Sequence, residues 1–276
     1  MCNISIVLIQ RAEKFSPNNV ETDKAILTAV GSRLKENGYH HMRMVREEEL
    51  EKMPKADVYV TMGRSKELLD ILLERQTKGA IVVNRVEGVR MCCHRASLME
   101  LLQQEGFPVA PIEGTDGYWV KRGDGPTQTK EDVTYVPHKA DALWLRDKML
   151  ASGISEVDMR AHVPGDVVKF YGVSGTDFFR YYYSGDDEQS KFGDEKKNGL
   201  SHRYVFNEEA LKMTAAHASS LMKTDVYGGD CIVKKDGSFV IIDFNDWPSF
   251  SRCREDAADA IMTCLIQKIK KEDDQL

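Results

Sequence analysis

Residues 227–248 read YGGDCIVKKDGSFVIIDFNDWP, in which two runs rich in β-branched residues flank an Asp-Gly pair at 236–237. An Asp-Gly pair in this setting is typical of a two-residue type I′ turn, so the segment predicts a β-hairpin. A two-residue turn fixes the register of the two strands. That register places Asp230 directly opposite Asp243.

Oxygen-bearing side chains are expected to cluster at the open end of this hairpin. Two opposed carboxylates destabilise a sheet by roughly 0.2–1 kcal/mol, and a divalent cation between them removes that conflict. Because strand side chains alternate between faces, Asn245 shares the face of Asp243, and Pro248 ends the strand. Asp230, Asp243 and Asn245 are therefore candidate ligands for Mg²⁺ or Mn²⁺. The alternative is an ordinary hairpin whose polar ends lie in water.

The same register makes a prediction about the apolar side of the hairpin. It pairs Val233 with Val240, and it places Val240, Ile242 and Phe244 on the face away from Asp243.

Three basic residues are predicted to line up on the strands that precede the hairpin. If Pro164-Gly165 and Ser174-Gly175 are also two-residue turns, Arg160 faces Lys169, and Lys169 faces Arg180. A row of like charges needs an anion, and phosphate oxygens would supply it. The alternative is a solvated basic edge that discourages aggregation.

Two shorter segments carry weaker phosphate signals. Residues 118–121 form a predicted strand that ends in Lys121 before a glycine-containing loop, an arrangement that can hold phosphates. The alternative for Lys121 is an exposed position on a hairpin. Residues 61–65 contain a single glycine and indicate a plain helix entry. A nucleoside triphosphate with bound Mg²⁺ would satisfy the acidic and the basic positions together.

Strand and helix patterns alternate through the first third of the chain, which predicts a small parallel sheet covered by helices. A single helix is expected over residues 89–105, and beyond Pro111 short alternating strands predict antiparallel pairing. Residues 184–200 are rich in Gly, Asp, Lys and Ser and are predicted to form a mobile loop. The predicted domains are 1–86 and 87–276, the latter with subdomains 87–160 and 161–276.

Composition limits the classes of function. The 276 residues include 38 Lys and Arg against 44 Asp and Glu, a net charge of −6, so general nucleic-acid binding is not expected. The apolar run at residues 4–9 is far shorter than the roughly 20 residues that span a bilayer, so no membrane partner is expected. The 6 cysteines are irregularly spaced, and no secretory signal is recognised. This pattern predicts reduced thiols in a cytoplasmic protein.

The order of these motifs resembles that of the ATP-grasp family, a glutathione-synthetase-like ATP-binding fold. The resemblance runs from about residue 84 to residue 248, and its best segment is Gly229-Asp230 followed by residues 240–248. This segment looks like the family's closing strand, with Asp243 where the family has a glutamate. The resemblance implies an α/β (α+β) fold in which two α+β subdomains hold ATP between them, preceded by a small parallel α/β domain.

The resemblance also implies roles for basic residues. Lys121 matches the family's phosphate-binding strand lysine, and Arg95 lies where many members have a second lysine. Lys169 and Arg180 match basic positions on two successive strands. Both are implied to be catalytic, Lys169 by clamping phosphate oxygens and Arg180 by stabilising an acyl phosphate and its oxyanion.

Nucleotide and metal contacts are implied in the same way. The backbone of Ala161, His162 and Val163 would meet the adenine edge, and Asp166 would bind the ribose. The implied ATP-binding side chains are Arg95, Lys121 and Lys169, and the implied metal ligands are Asp230, Asp243 and Asn245.

Most members of the family phosphorylate a carboxylate and let an amine or a thiol attack the acyl phosphate. The resemblance therefore implies an ATP- and Mg²⁺-dependent ligase that acts on small-molecule acids and amines or thiols. One alternative is a kinase that phosphorylates a small polyol or inositol phosphate, with Arg203, Lys191, Lys196 and Lys197 as candidate acceptor-binding cations. Another alternative is a non-catalytic ATP-binding protein. A homodimer is a reasonable prior for the oligomeric state.

Overall fold

The first third of the chain forms a parallel sheet covered by helices, as the alternating pattern predicts. The computed structural model describes residues 4–15, 20–125, 129–184 and 197–273. The strands of this sheet are β1 (Ile6–Gln10), β2 (Met42–Arg46), β3 (Val58–Thr61) and β4 (Ile81–Val83). All three strand pairings are parallel, and the spatial order is β2-β1-β3-β4. The covering helices are α1 (Val20–Glu36) and α2 (Lys66–Thr77).

The last helix of the chain packs against the first. Helix α7 (Arg254–Asp273) places Ile261 and Leu265 in the same buried cluster as Ile26 and Val30 of α1. The Arg33 guanidinium reinforces this contact by donating to Asp259 at 2.6 Å. The core of the parallel sheet is thus completed by the C-terminal helix, and the division of the chain at residues 86 and 87 stays a prediction.

The single helix expected over residues 89–105 is wrong, because the chain breaks at His94. The break separates α3 (Val86–Cys93) from α4 (Arg95–Gln104), and His94 has a non-helical ψ of 77°. Apolar residues keep helical spacing on both sides of the break, which conceals it in the sequence. The break places Arg95 in the first turn of α4.

The rest of the chain supplies two antiparallel sheets. The smaller one has the order β6-β5-β7 and the larger one β11-β10-β8-β9. The smaller sheet contains β5 (Tyr118–Arg122), β6 (Val133–Val136) and β7 (Val157–Ala161), packed against α5 (Lys139–Ala151). The larger sheet contains β8 (Asp166–Val173), β9 (Phe179–Tyr183), β10 (Val226–Val233) and β11 (Phe239–Asp246), packed against α6 (Glu208–Met222).

Residues 185–196, most of the predicted loop at 184–200, lie outside the described residues. None of the described helices combines the length and the apolar character that crossing a bilayer requires.

The final hairpin confirms the pairing of Asp230 with Asp243, but by a different route from the predicted one. The connection has three residues rather than two: Lys234 and Ser238 close it, and Gly237 has a left-handed φ of 79°. Val233 therefore pairs with Phe239 instead of Val240. A β-bulge on β11, where Ile242 is the extra residue opposite the step from Asp230 to Cys231, then restores the register of the acids.

The bulge also changes which apolar residues reach the core. Ile241 and Phe244 are buried in the core cluster, whereas Ile242 lines the cleft that also contains Asp243. The prediction that Val240, Ile242 and Phe244 share one face is therefore wrong. A one-residue bulge reverses the face of every side chain on its far side, because strand alternation has a period of two.

The predicted row of three cations is also wrong. Arg160 lies in the smaller sheet opposite Trp119, and its guanidinium donates to Asp158 at 2.9 Å and to the Ala110 carbonyl at 2.9 Å. Lys169 lies between Asp230 on β10 and Tyr182 on β9. Pro164-Gly165 connects two different sheets, and the turn between β8 and β9 has more than two residues, so the like charges never stack.

Candidate active site

A cleft of about 400 Å³ lies between the two antiparallel sheets and extends to loops that follow strands of the parallel sheet. Most residues singled out from the sequence line this cleft, although they come from five different strands, one helix and one loop. They are Arg95, Lys121, Ala161, His162, Val163, Lys169, Asp230, Asp243 and Asn245.

One end of the cleft has a floor of charged side chains, one basic and two acidic. Lys169, Asp230 and Asp243 are neighbours across three adjacent strands, because Asp230 pairs with Lys169 on one side and with Asp243 on the other. Asn245 follows two residues along β11, and its amide donates to Asp243 at 3.3 Å. The sequence analysis expected Lys169 to stand in a row of three cations. It lies instead beside the opposed acids, next to Asp230.

Two cations cover this floor from the smaller sheet and its helix. Arg95 donates from Nε and Nη2 to the two carboxylate oxygens of Asp243, each at 3.3 Å. Lys121 donates to the Ile242 carbonyl at 3.3 Å. These two side chains come from α4 and β5, whereas the acids come from the larger sheet. The charged end of the cleft is therefore built from both parts of the structure.

Burial and charge oppose each other at this end of the cleft. Burial alone would raise the pKa of the Asp243 carboxyl, but the charges of Arg95 and Lys121 hold it below its usual value. Burial and the neighbouring Arg95 charge lower the pKa of Lys121. The lysine is therefore held in a place that disfavours its own charge, which an incoming polyanion would relieve.

The donor set here fits a magnesium ion. Among the residues that the structure describes, no three His, Cys, Asp or Glu side chains gather as a metal-holding group. The available donors are the Asp230 and Asp243 carboxylates and the Asn245 amide oxygen, all of them hard oxygen atoms of the kind that Mg²⁺ prefers. Mg²⁺ usually keeps several other ligands from water or phosphate, so three protein donors are sufficient.

The opposite end of the cleft is apolar and aromatic. Ala161 and His162 are fixed by backbone hydrogen bonds of 2.8 Å to Pro111 and Gly117. The Trp119 indole N–H donates to Nδ1 of His162 at 3.1 Å, so Nδ1 acts as the acceptor of a neutral ring. Burial and the charge of Lys197 lower the pKa of His162, in agreement with that neutral form. Apolar and aromatic lining of this kind is typical of sites that bind small organic ligands.

Among the cleft residues not predicted from the sequence, four are charged or aromatic side chains near the metal-ligand candidates. Arg11 and Arg64 follow strands β1 and β3, and Asp246 and Trp247 follow the metal-ligand candidates on β11. Arg64 lies in the 61–65 segment, where a single glycine indicated only a helix entry. Its partner Asp246 is 182 residues away in the chain, so no local pattern could reveal the pair.

Comparisons with solved structures agree with this arrangement. The chain is similar to a D-alanine–D-alanine ligase from Bacillus anthracis complexed with ATP, with a TM-score of 0.66, 13% identity and coverage of 98% of this chain and 99% of that one. It is also similar to an ATP-grasp RimK domain protein from Sphaerobacter thermophilus, with a TM-score of 0.61, 16% identity and coverage of 94% and 98%. A third similar structure is the ATP-grasp ligase PsnB with a phosphomimetic variant of minimal precursor, Mg and ADP, with a TM-score of 0.58, 12% identity and coverage of 95% and 98%. No protein-family model and no curated protein matches the chain.

The chain has the ATP-grasp fold. The fold class expected from the sequence is thus confirmed, and the cleft lies between the two sheets of that fold.

Asp166, the expected ribose contact, is placed by the structure outside the set of residues that line the cleft. It is 2% exposed. Its two carboxylate oxygens accept the backbone N–H groups of His202 at 2.7 Å and Tyr204 at 2.9 Å. The carboxylate therefore anchors the segment at residues 202–204 onto the start of β8.

We expect Asp166→Ala to reduce stability rather than nucleotide affinity. The change leaves two partly buried N–H groups without their acceptor, at a cost of up to about 1–3 kcal/mol for each group. Urea unfolding should show the loss, while the Kd for ATP measured by titration calorimetry on the folded variant should stay unchanged. A selective rise in that Kd at unaltered stability would restore the ribose assignment.

Arg180 is likewise outside the ATP-grasp cleft. It pairs with Tyr171 rather than Lys169, and its guanidinium donates to Asp256 at 3.0 Å near the start of α7. Its carbon Cζ lies 5.3 Å from the centre of the Phe178 ring. The side chain is 45% exposed. A catalytic role for Arg180 therefore has no geometric support, and its position follows from the corrected register of β8 and β9.

Proposed function

We propose that this protein is an ATP- and Mg²⁺-dependent ligase that activates the carboxylate of a small acid as an acyl phosphate and joins it to an amine or a thiol. The observation that carries the proposal is the meeting of opposed carboxylates with Arg95, Lys121 and Lys169 at one end of a cleft that is apolar at the other. The ATP-grasp fold supports it, and one similar structure is a D-alanine–D-alanine ligase complexed with ATP.

The proposed roles follow the polarity of the cleft. The adenine would lie at the apolar end against the backbone of residues 161–163, and the triphosphate would extend toward Lys121 and Lys169. Asp230, Asp243 and Asn245 would hold Mg²⁺, which when bound offsets the charge that develops on the transferred phosphoryl group. Arg95 would then exchange Asp243 for phosphate oxygens, since a guanidinium binds either anion.

The chemistry needs no nucleophile from the protein. A carboxylate oxygen of the acid attacks the γ-phosphorus, and the bond to the departing ADP oxygen breaks. The amine nitrogen or thiol sulfur then attacks the acyl carbon and releases inorganic phosphate, while the proton of the nucleophile passes to solvent. Lys121 and Lys169 would bind the phosphoryl oxygens during both steps, which is electrostatic stabilisation by preorganised charge.

No observation favours the kinase alternative. Two of its candidate acceptor-binding cations, at residues 191 and 196, lie outside the described residues. The other two rest on aromatic rings, Lys197 at 4.0 Å from the centre of Tyr135 and Arg203 at 5.0 Å from that of Tyr183.

The proposal predicts that ADP and inorganic phosphate appear together, and only when an acid substrate is present. Hydroxylamine intercepts an acyl phosphate, so it should convert the activated acid into a hydroxamate at the rate of ADP release. Pooled small acids with and without pooled amines and thiols provide the screen, with mass spectrometry of the products as the measurement.

Other outcomes of the screen would contradict the ligase. ADP formation with phosphate retained on a hydroxyl would indicate a kinase. Tight ATP binding with no turnover across the panel would indicate a non-catalytic protein.

A further inference from the structure

Two arginines from the parallel sheet face the reactive end of the cleft. In the strand order β2-β1-β3-β4, β2 lies on one side of β1, whereas β3 and β4 lie on the other side. The strand order therefore switches between β1 and β3, and ligands of open α/β sheets bind at the carboxyl ends of the strands beside such a point. Arg11 follows the carboxyl end of β1 and Arg64 follows that of β3. Both side chains line the cleft.

A buried carboxylate fixes the loops that carry these arginines. Glu47 is 3% exposed and directly follows the carboxyl end of β2, the strand next to β1. It accepts the N–H groups of Ala12 at 2.6 Å, Arg64 at 3.1 Å and Ser65 at 3.0 Å. One side chain thus positions both loops, so the arginines occupy a built site and not a mobile surface.

Protein groups satisfy Arg11 but satisfy Arg64 only in part. Arg11 donates to Asp23 at 3.2 Å and to the carbonyls of Met62 and Trp247 at 3.0 and 2.8 Å. Arg64 donates through one terminal nitrogen to Asp246. Nε of Arg64 has no hydrogen-bond partner, although that side chain is only 9% exposed. The indole Nε1 of the fully buried Trp247 has no partner either.

These unpartnered donors point to an anionic ligand. A buried N–H without an acceptor is costly, and an oxyanion accepts from several donors at once. Burial and the neighbouring charge of Arg64 lower the pKa of Arg11, which indicates that the two cations are crowded together. The second oxygen of Asp246 is also buried and unpartnered, and it suits an N–H or O–H group next to the anion.

We propose that Arg64 and Trp247, beside Arg11, form a subsite for an anionic group of the acid substrate that is not consumed in the reaction. Asp246 directly follows the metal-ligand candidate Asn245 on β11, so the subsite lies next to the metal end of the cleft. The substrate class is therefore a small acid with two anionic groups, one activated by ATP and the other held by this subsite. The inference rests on the proposed ligase function.

Selectivity between acids of matched length tests the subsite. Glutarate, glutamate and a phosphorylated acid such as 3-phosphoglycerate are compared with valerate and 4-aminobutyrate in the hydroxylamine assay. The diacids should have a KM at least about tenfold lower, which is the effect of hydrogen bonds to a charged group. The dicarboxylate and phosphate arms decide which oxyanion is preferred, and equal KM values for monoacids and diacids would overturn the subsite.

Two conservative variants locate the effect. Arg64→Lys keeps a cation beside Asp246 but lacks the Nε donor, and Trp247→Phe removes only the indole N–H and part of the ring. Each should raise the KM for diacids about tenfold while the KM for ATP is unchanged. Arg90→Lys and Trp144→Phe are the matched controls, because Arg90 pairs with Asp70 away from the cleft and Trp144 is 64% exposed. Equal effects on ATP and on the diacid would indicate a merely structural role.

A binding measurement separates this inference from the ligase proposal. Glutarate and inorganic phosphate are each added to the protein saturated with Mg²⁺ and a non-hydrolysable ATP analogue, and thermal unfolding is followed. Protection by either anion that is lost in Arg64→Lys supports the subsite even if no acid supports turnover. Absence of protection by both anions overturns it, whatever the outcome of the ligase assay.

Discussion

Asp243→Asn is expected to abolish the protection against heat that Mg²⁺-ATP gives the wild-type protein. A ligand present at 100 times its Kd stabilises a protein by about 2.7 kcal/mol, which corresponds to roughly 5–10 °C in the melting temperature of a chain of this size. The substitution removes one of two facing carboxylates at the metal-ligand candidates. It keeps the size of the side chain, so the change tests charge and coordination and not packing.

The same variant should lose at least ~100-fold in kcat, since the charge on the transferred phosphoryl group is no longer offset. Differential scanning fluorimetry with and without Mg²⁺ and ATP gives the first quantity, and ADP release gives the second. Asp236→Asn is the matched control, because Asp236 lies in the turn of the same hairpin and is exposed, and an amide oxygen can replace its acceptor role toward Ser238. Undiminished Mg²⁺-ATP protection in Asp243→Asn would remove the metal from this hairpin.

The free Asp243→Asn protein is expected to be less stable than the wild type. Arg95 and Lys121 hold the pKa of Asp243 below its usual value in spite of burial, so the ionised carboxylate stabilises the fold. That contribution is fully present above the unfolded-state pKa of the carboxyl and is lost as the pH falls through the lowered folded-state pKa. The stability difference between the two proteins should therefore shrink toward strongly acidic pH.

The hairpin shows how far sequence reasoning reaches in this protein. The pairing of Asp230 with Asp243 is correct because two departures from the assumed geometry cancel: the connection has one extra residue, and a bulge inserts another on the opposite strand. An Asp-Gly pair indicates a hairpin but does not fix the length of its turn. The positions between the turn and the bulge, such as Val233, are consequently mispaired.

Residues that depend on long-range contacts were the least predictable. Asp166 binds the backbone of residues 202–204, which return to the start of β8. Arg180 binds Asp256 at the start of α7. Arg64 and Asp246 meet only because the parallel sheet docks beside the final strand. Local periodicity reports which face a residue occupies, but it carries no information about which distant segment covers that face.

Lys121→Met should produce opposite changes in stability and in ATP affinity. Burial and the charge of Arg95 lower the pKa of Lys121, so its charged form opposes folding of the free protein. Replacing it with an apolar side chain of similar length should raise the free energy of unfolding without nucleotide. Loss of a charge that meets phosphate should weaken ATP binding by about 2 kcal/mol or more, roughly 30-fold.

The pH dependence gives this prediction a second readout. Because the folded-state pKa of Lys121 lies below the ordinary lysine value of 10.5, the unfolded chain binds more protons between these two values, and wild-type stability rises with pH in that window. The stability advantage of Lys121→Met should therefore be largest below the folded-state pKa and should decrease as the pH approaches 10.5.

Urea unfolding across this pH range and calorimetric titration with ATP provide the measurements. Lys234→Met is the matched control, because Lys234 lies at the end of the final hairpin with its side chain 38% exposed, away from the cleft-lining set, and should alter neither quantity strongly. A variant that loses stability together with ATP affinity would make Lys121 a structural residue. One that gains stability and binds ATP as tightly as before would separate Lys121 from the phosphates. Opposite changes are expected only if the cleft keeps a destabilising cation in place because a polyanion binds there.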